Sequence, residues 1–438
     1  MNMNKASCKI HPSELKTIRS ADVVVVGGGP GGIGAAVMAA RNGARTLLIE
    51  RYGVPGGMAS MGEVTPFMPN SWKGIPFDRP VFAEWKKKID RYLPETWHGV
   101  KIEKLHSLNP AAAALAAEEL LLEAGIELLY HHILTGVLVN RRRIRKLIVH
   151  SKNGFAAVEG KMFVDCTGDG DLAALSGCSF EYGNENGVCQ PMTTCFKMSQ
   201  VKIPRGNDKT TAWNREIQAA FQRARESGKV SAPRDTLLYF HHCENGVIHF
   251  NTTRVLGHSS LNGESLSDAE IIARKQVREI ISFLREEIPA FRDASLLSMG
   301  TSIGVRESRR IKGLAYITRE DFLRCAKFPD AVARCSYGID LHSGTGSGTF
   351  GIRVRQGDFY EIPYGCVVPK DIDNLTVGGR PISVDVYVHS SMRIMPCACS
   401  VGQAAGFAAA ESVKRAKPPG RLDGKTVRTG LAAHGACI

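Results

Sequence analysis

The stretch Asp22-Val23-Val24-Val25-Val26-Gly27-Gly28-Gly29-Pro30-Gly31-Gly32 decides how this chain folds. Its first five residues are a short apolar, β-branched run, the mark of a strand covered on both faces. The run passes directly into Gly27-x-Gly29-x-x-Gly32 and then into an Ala- and Met-rich segment, 33–42, that reads as a helix ended by Gly43. The glycines of such a turn serve different ends. The first turns strand tightly into helix, the second admits a pyrophosphate to the backbone, and the third lets helix and strand pack closely. The helix start offers free N–H groups and a positive dipole end to phosphates. Residues 46–49 read as a second buried strand, and Glu50 ends it 23 residues after Gly27, where a carboxylate can meet both hydroxyls of a ribose. A glycine turn kept only for packing explains neither Glu50 nor the run of glycines. The spacing therefore predicts a dinucleotide site built on Gly27, Gly28, Gly29, Pro30, Gly31, Gly32 and Glu50.

Outward from this unit, residues 61–104 are irregular, with Pro66, Pro69, Pro76 and Pro80 and three of the four tryptophans, and read as an excursion from the nucleotide layer. Asn109 as N-cap and Pro110 at the first helical position open a helix that Gly125 closes. Strands follow at 126–129 and 134–139, then a hairpin through 141–149, and Phe163-Val164-Asp165 leads into Cys166-Thr167-Gly168-Asp169-Gly170-Asp171. Residues 181–364 read as a second unit, with strand-like pieces at 237–240 and 247–251. Its amphipathic helix over 267–287 opens on a capping box, Ser267-Asp268-Ala269-Glu270. The first pattern returns with a strand at 375–377, Gly378-Gly379-Arg380 and an Ala/Gly-rich helix over 402–411, and the polar tail from Lys417 is expected to fray. The expected architecture is α/β: a discontinuous Rossmann-like domain (20–60, 105–180 and 365–415), an inserted α+β substrate or cap domain (61–104 and 181–364), and a C-terminal tail, 416–438.

Composition narrows the function classes. At 43% hydrophobic and 23% charged residues the chain is an ordinary globular one. No apolar run approaches the ~20 residues of a membrane span. Residues 1–20 are charged, without the apolar core of a signal peptide, so a cytoplasmic protein with no membrane partner is expected. Twelve cysteines without a CxxC read as reduced, mostly buried thiols, and the pairs His131-His132 and His241-His242 lack a third ligand, so no metal site is expected. The net charge of +13 raises the question of nucleic acid. The basic residues are dispersed, however, and the densest run, 141–146, falls in the hairpin with no aromatics interleaved, which argues against that partner. Self-association stays open. Gly420–Thr426 imitates a phosphate loop but has three residues between its glycines and no preceding strand.

Glu50-Arg51 with Gly57-Met58-Ala59-Ser60, and the segment Asp165 to Asp171, resemble the glutathione-reductase-like FAD superfamily, with Cys166 in place of the usual alanine. Gln190-Pro191-Met192-Thr193, Gly304 through Arg310, and Ser391 through Pro396 followed by Gly402-Gln403-Ala404-Ala405-Gly406 narrow the likeness. They resemble the FAD-dependent oxidoreductases that include heterodisulfide-reductase-A-like and fumarate-reductase-like flavoproteins. The likeness runs in order from about residue 20 to 412, without the iron–sulfur cysteine clusters of the heterodisulfide reductase subunit, which speaks against electron bifurcation.

The resemblance implies one FAD, taken as noncovalent because no covalent linkage can be read from the sequence, held also by Arg51, Gly57, Met58, Thr167, Gly168 and Asp169. It implies that Leu134 touches the adenine through its backbone and that Gly379 and Arg380 lie near the pyrophosphate or ribitol. Met392, Arg393 and Met395 would lie along the isoalloxazine, where a helix N-terminus favours the anion of reduced flavin. His389 and His342 are the candidates for proton transfer, and Arg306, Arg309 and Arg393 for holding an oxyanion. The expected function is hydride transfer between a small polar substrate and FAD, with an unspecified electron donor or acceptor. No second GxGxxG unit predicts a built-in NAD(P)H domain. Two other readings stand beside it: an RNA-associated flavoprotein resembling tRNA-modifying FAD proteins, and an electron-transfer flavin module without turnover.

Overall fold

Val23, Val24, Val25 and Val26 are almost wholly buried because the strand that carries them is hydrogen-bonded on both edges. The computed structural model describes residues 14–99, 107–204 and 207–438. Cys8, most of the N-terminal stretch read for a signal peptide, and the 104/105 boundary lie outside the described residues.

Thr17–Val26 pairs in parallel with Thr46–Ile49 on one side and Gly154–Asp165 on the other, bringing Val26 level with Ile49 and Asp165. Glu127–Leu129 extends the sheet beyond Thr46–Ile49, and Leu375–Val377 joins it beside Gly154–Asp165, pairing Val377 with Asp165. The carboxyl ends of these strands form one edge, the place where a doubly wound sheet takes its ligand. The long strand Gly154–Asp165 also closes an antiparallel meander with Ile133–Asn140 and Arg143–Ser151. Arg141 and Arg142 make the hairpin turn with φ of +47° and +60°. Asn374 pins this meander to the parallel strands, accepting from the Ile144 N–H at 2.8 Å and donating to its carbonyl at 2.9 Å.

The glycine helix, Pro30–Arg41, lies against a long buried helix, Met395–Arg415. A Cβ on Gly402 would sit 2.0 Å from the Gly31 carbonyl oxygen, and one on Gly406 would sit 1.9 Å from that of Ala35. The Ala/Gly composition of the long helix thus reflects backbone-to-backbone contact. Asn109 caps the helix Pro110–Glu123 by accepting from the Ala111 N–H at 2.9 Å. Residues 67–93 do not leave this layer: Phe67, Phe82 and Trp85 belong to its core, and the Trp85 indole donates to the Ala113 carbonyl at 2.9 Å.

A second, antiparallel sheet runs in the order Tyr239–His241, Ile248–Phe250, Phe196–Ser199, Ser295–Met299. It shares a separate aromatic core (Phe196, Phe250, Trp213, Phe283, Phe291) with the helices Asn207–Glu226 and Gly263–Glu287. The second helix begins four residues before the expected capping box. Asn262 takes the cap, accepting from the Ser265 N–H at 2.7 Å, while Glu270 accepts from the Ile303 N–H at 2.7 Å instead of turning back on its own helix. The tail is also more ordered than its polarity suggests. Gly424–Ala433 is a helix capped by Asp423, and its Val427 and Leu431, one turn apart, are wholly buried. No helix among the described residues is long and apolar enough to cross a membrane.

Candidate active site

The glycine turn can be read atom by atom. Gly27 has φ of +99°, and a Cβ there would lie 2.3 Å from the Cys166 carbonyl oxygen; a Cβ on Gly32 would lie 1.8 Å from that of Gly27. The first glycine makes the reversal and the third the close packing. Gly29 faces open space, with only the Gly57 Cα within 4 Å of a Cβ added there, at 3.8 Å. No side chain caps the helix that follows, so its first-turn N–H groups are available to an anion. Glu50, 6% exposed, spans the turn: Oε2 accepts from the Gly28 N–H at 2.6 Å and Oε1 from that of Tyr52 at 2.9 Å. Beside it, Arg51, His131, His132 and Ile133 line a cavity of about 510 Å³ that reaches residues 150–153. Leu134 follows on the meander strand, paired with Val149.

Three distant segments complete this cradle. Gly57 lies so close that a Cβ on it would come within 2.8 Å of the Gly29 Cα, and the Gly56 N–H donates to the Gly28 carbonyl at 2.8 Å. A Cβ on Gly31 would come within 2.9 Å of the Gly379 Cα. Arg380 binds the Gly168 carbonyl at 2.6 Å, Asp169 Oδ1 at 2.5 Å and the Val305 carbonyl. Asp169 also accepts from Ser308 Oγ at 2.7 Å. Behind them Asp165 is wholly buried and accepts from Thr167 N, Thr167 Oγ1 and Ala173 N; burial still pushes its carboxyl up to about 6. The long helix starts at Met395 with no side-chain cap and proline in its first turn, a second uncapped helix N-terminus in the interior. Two such termini, a buried acid bonded across the turn, and a turn whose Gly27, Gly31 and Gly32 leave no room for a Cβ while Gly29 stays open fit a dinucleotide with its pyrophosphate.

Arg306, His342 and Arg393 converge on Asp340. His342 Nε2 lies 3.3 Å from Asp340 Oδ2; Arg393 Nη2 donates to the Asp340 carbonyl at 2.9 Å and lies 3.4 Å from Oδ2. Arg306 donates to the Pro191 carbonyl at 2.6 Å, and neighbouring Gln190 accepts from the His342 N–H at 3.1 Å. Burial works against the Asp340 carboxylate, but the His342 hydrogen bond and the charges of Arg393 and Arg306 outweigh it and hold the group below the ordinary range. Burial takes His342 down to about 3 despite Asp340, with Arg306 and Arg393 adding to the fall. His389 stands apart from this group. It has no exposed surface, neither ring nitrogen has a partner among the described residues, and burial, then Arg310, Arg393 and Arg380, drive its pKa far below the usual value. Arg309 turns away to Asp171, at 2.8 Å.

Asp340 escaped the sequence reading although alternation offered a signal. It lies two residues from His342 on the strand Ile339–His342 and so shares its face. The buried pair Lys197–Glu63, 2.5 Å apart, which ties the segment after Gly57 to the second sheet, had no such signal.

A family model described as FAD dependent oxidoreductase matches residues 22–431. Among curated proteins, the thiamine thiazole synthase of Aeropyrum pernix is 33% identical over 140 residues, which is 32% of this chain and 47% of that protein. The chain thus spans about half the length of this curated relative. Among solved structures, a geranylgeranyl bacteriochlorophyll reductase-like protein from Thermoplasma acidophilum is similar at 13% identity and a TM-score of 0.45, covering 96% of this chain and 92% of that one. The p-nitrophenol 4-monooxygenase of Pseudomonas putida is similar at 11% identity and 0.46, covering 96% and 87%.

Proposed function

Since the chain belongs to the FAD dependent oxidoreductase family and is an enzyme that uses FAD, we propose that it transfers a hydride between a small polar substrate and the flavin, in the space bounded by Arg306, Asp340, His342 and Arg393. The observation that carries this reading is the convergence of Arg306, His342 and Arg393, from three chain-distant segments, on the Asp340 carboxylate. The finer kinship with heterodisulfide-reductase-A-like and fumarate-reductase-like flavoproteins is part of the same proposal and rests on Gly304 through Arg310 and Ser391 through Pro396. Reduced buried thiols support a cytoplasmic setting.

Bound FAD supplies the two-electron chemistry. The residues of the chain bind, orient and move the proton. The N–H groups after Gly29 take the pyrophosphate, and Gly57, Met58, Gly168, Asp169, Gly379 and Arg380 close around it. Glu50 would hold the ribose, Arg51 and the Leu134 backbone would serve the adenine, and Met392 and Met395 would serve the ring end. Arg306 and Arg393 hold an oxyanion. His342 is engaged at both nitrogens, by Asp340 and, 2.9 Å away, by Thr349, and so positions Asp340. His389, whose ring nitrogens have no partner among the described residues, is neutral and is the remaining group for relaying a proton.

The purified protein is expected to show flavin bands near ~370 and ~450 nm. Under anaerobic conditions one compound among hydroxy acids, sugars and nicotinamide donors should bleach them. Flavin that none of these reduces, and that no reduced form passes to an acceptor, would overturn the hydride-transfer reading. Glu50→Gln removes a charge-assisted bond and should weaken FAD binding about 10- to 100-fold, read by titrating apoprotein and following flavin fluorescence. An unchanged affinity would take the ribose away from Glu50.

A further inference from the structure

Arg234 lies between the helix Asn207–Glu226 and the strand Tyr239–His241, in a segment with no sequence motif. It is 8% exposed, and its guanidinium has no hydrogen bond or ion pair with any described residue. A buried cation without a counter-charge is costly, so such a group calls for a ligand. Arg306 is in the same position. Among the described residues its only hydrogen-bond acceptor is the neutral Pro191 carbonyl, and it keeps part of its surface open.

The two arginines share one electrostatic environment. Burial first, then Arg393 and Arg234, push Arg306 down to about 9; burial and then Arg254 push Arg234 down to about 10. Asp340 acts on all four of these guanidinium groups, and it is already bonded to Arg393 and His342. Asp235, next to Arg234 in the chain, is exposed and faces Arg225. Arg254 has carbonyl partners in Ser343 and Gly348, at 2.9 and 2.8 Å. Arg234 and Arg306 are left without a bonded counter-charge. Gln190 Nε2, beside Pro191 in the chain, Thr194 Oγ1 and Arg254 Nε are buried polar atoms without partners among the described residues. The cluster adjoins the cofactor cradle: Arg380 follows Gly379, which packs on Gly31, and binds the carbonyl of Val305, next to Arg306.

We propose that Arg234 and Arg306 together bind a substrate carrying two negative charges on oxygen, a small dicarboxylate or a phosphate monoester. Two unpaired cations match two charges; a monoanion leaves one buried guanidinium unpaired, and an uncharged substrate leaves both. The proposal rests on the reading of the Arg306–Asp340 space as the substrate site.

The test titrates the FAD-loaded enzyme with malonate, inorganic phosphate, acetate and malonamide, following binding heat and the flavin difference spectrum together. Malonate or phosphate should bind at least ~30-fold more tightly than acetate, and malonamide should not bind. The tighter of the two names the source, dicarboxylate or phosphate ester. Arg234→Gln should weaken the preferred dianion at least ~10-fold with the FAD content unchanged, and Arg234→Lys should restore part of that loss. Equal affinities for the four compounds, or a dianion affinity indifferent to Arg234, overturn the proposal. Dianion heat that depends on Arg234 but leaves the flavin spectrum untouched upholds the dianion site and overturns its reading as the substrate site. Reduction of the flavin by an uncharged compound, with no dianion bound, does the reverse.

Discussion

Gly402→Ala is expected to lower stability sharply and to release FAD, although alanine is the better helix former. In the interior of an ordinary helix this change gains up to ~1 kcal/mol. Here the added Cβ would lie 2.0 Å from the Gly31 carbonyl oxygen. Both partners are backbone, so no rotamer change can relieve the contact, and the two helices must part by more than an ångström. Gly31 belongs to the phosphate cradle and is packed on its other side by Gly379, so the displacement reaches the cofactor site directly. A cost of roughly 3–5 kcal/mol is expected, a large part of a typical domain's 5–15. Gly406→Ala, with 1.9 Å to the Ala35 carbonyl oxygen, should behave alike in stability. Thermal melting and the flavin-to-protein ratio check both. A Gly402→Ala protein that melts at or above the parent temperature with full flavin content would show that the helices do not touch as described.

Acidification from pH 6.5 to 5 should destabilise the protein well before most carboxylates titrate. His242, His249, His342 and His389 are all buried, and burial is the largest cause of the depressed pKa of each. His242 falls to about 4 and His342 to about 3. Nearby charges add to this: Lys197 beside His242 and His249, Arg306 and Arg393 beside His342, and Arg310, Arg393 and Arg380 beside His389; Asp340 opposes at His342 and the Leu108 backbone at His242. The sign follows from the unfolded value near ~6.5. Below it the unfolded chain takes up protons that the folded one refuses, so this stability is complete above about pH 6.5 and is lost as pH falls toward the folded values. Each histidine contributes up to ~1.4 kcal/mol per pH unit. Asp165, pushed up to about 6, pulls the other way, as do Asp171 and Asp385 with their raised values. The net loss from pH 6.5 to 5 should be roughly 5 kcal/mol, measured as a falling urea midpoint at constant slope. His249→Gln should flatten the profile. A midpoint that holds steady down to pH 5 would mean that these imidazoles are charged in the folded protein.

What the sequence determined by itself is the set of features that a few consecutive residues can enforce. The reversal at Gly27, the close packing at Gly32, the Asn109–Pro110 helix start and the hairpin at Arg141 each depend on neighbours within about one turn of chain, and spacing exposes them. Where two local signals competed, the reading could fail: Asn262 took the cap expected of Ser267 because Glu270 had a partner at Ile303. Tertiary structure alone decided that Leu375–Val377 lies beside Gly154–Asp165, that Gly402 meets Gly31, and that the polar tail folds back on two buried apolar residues. It also decided the charge balance of the candidate site. Arg234, Arg306, Asp340 and Arg393 come from segments up to 159 residues apart; Arg306 and Arg393 stand in motifs, but nothing in chain order sets Arg234 and Asp340 opposite them. Whether a cation is paired depends on what the fold brings opposite it, and a buried Coulomb interaction is set by distance in space and by the water excluded, neither of which is written in chain order.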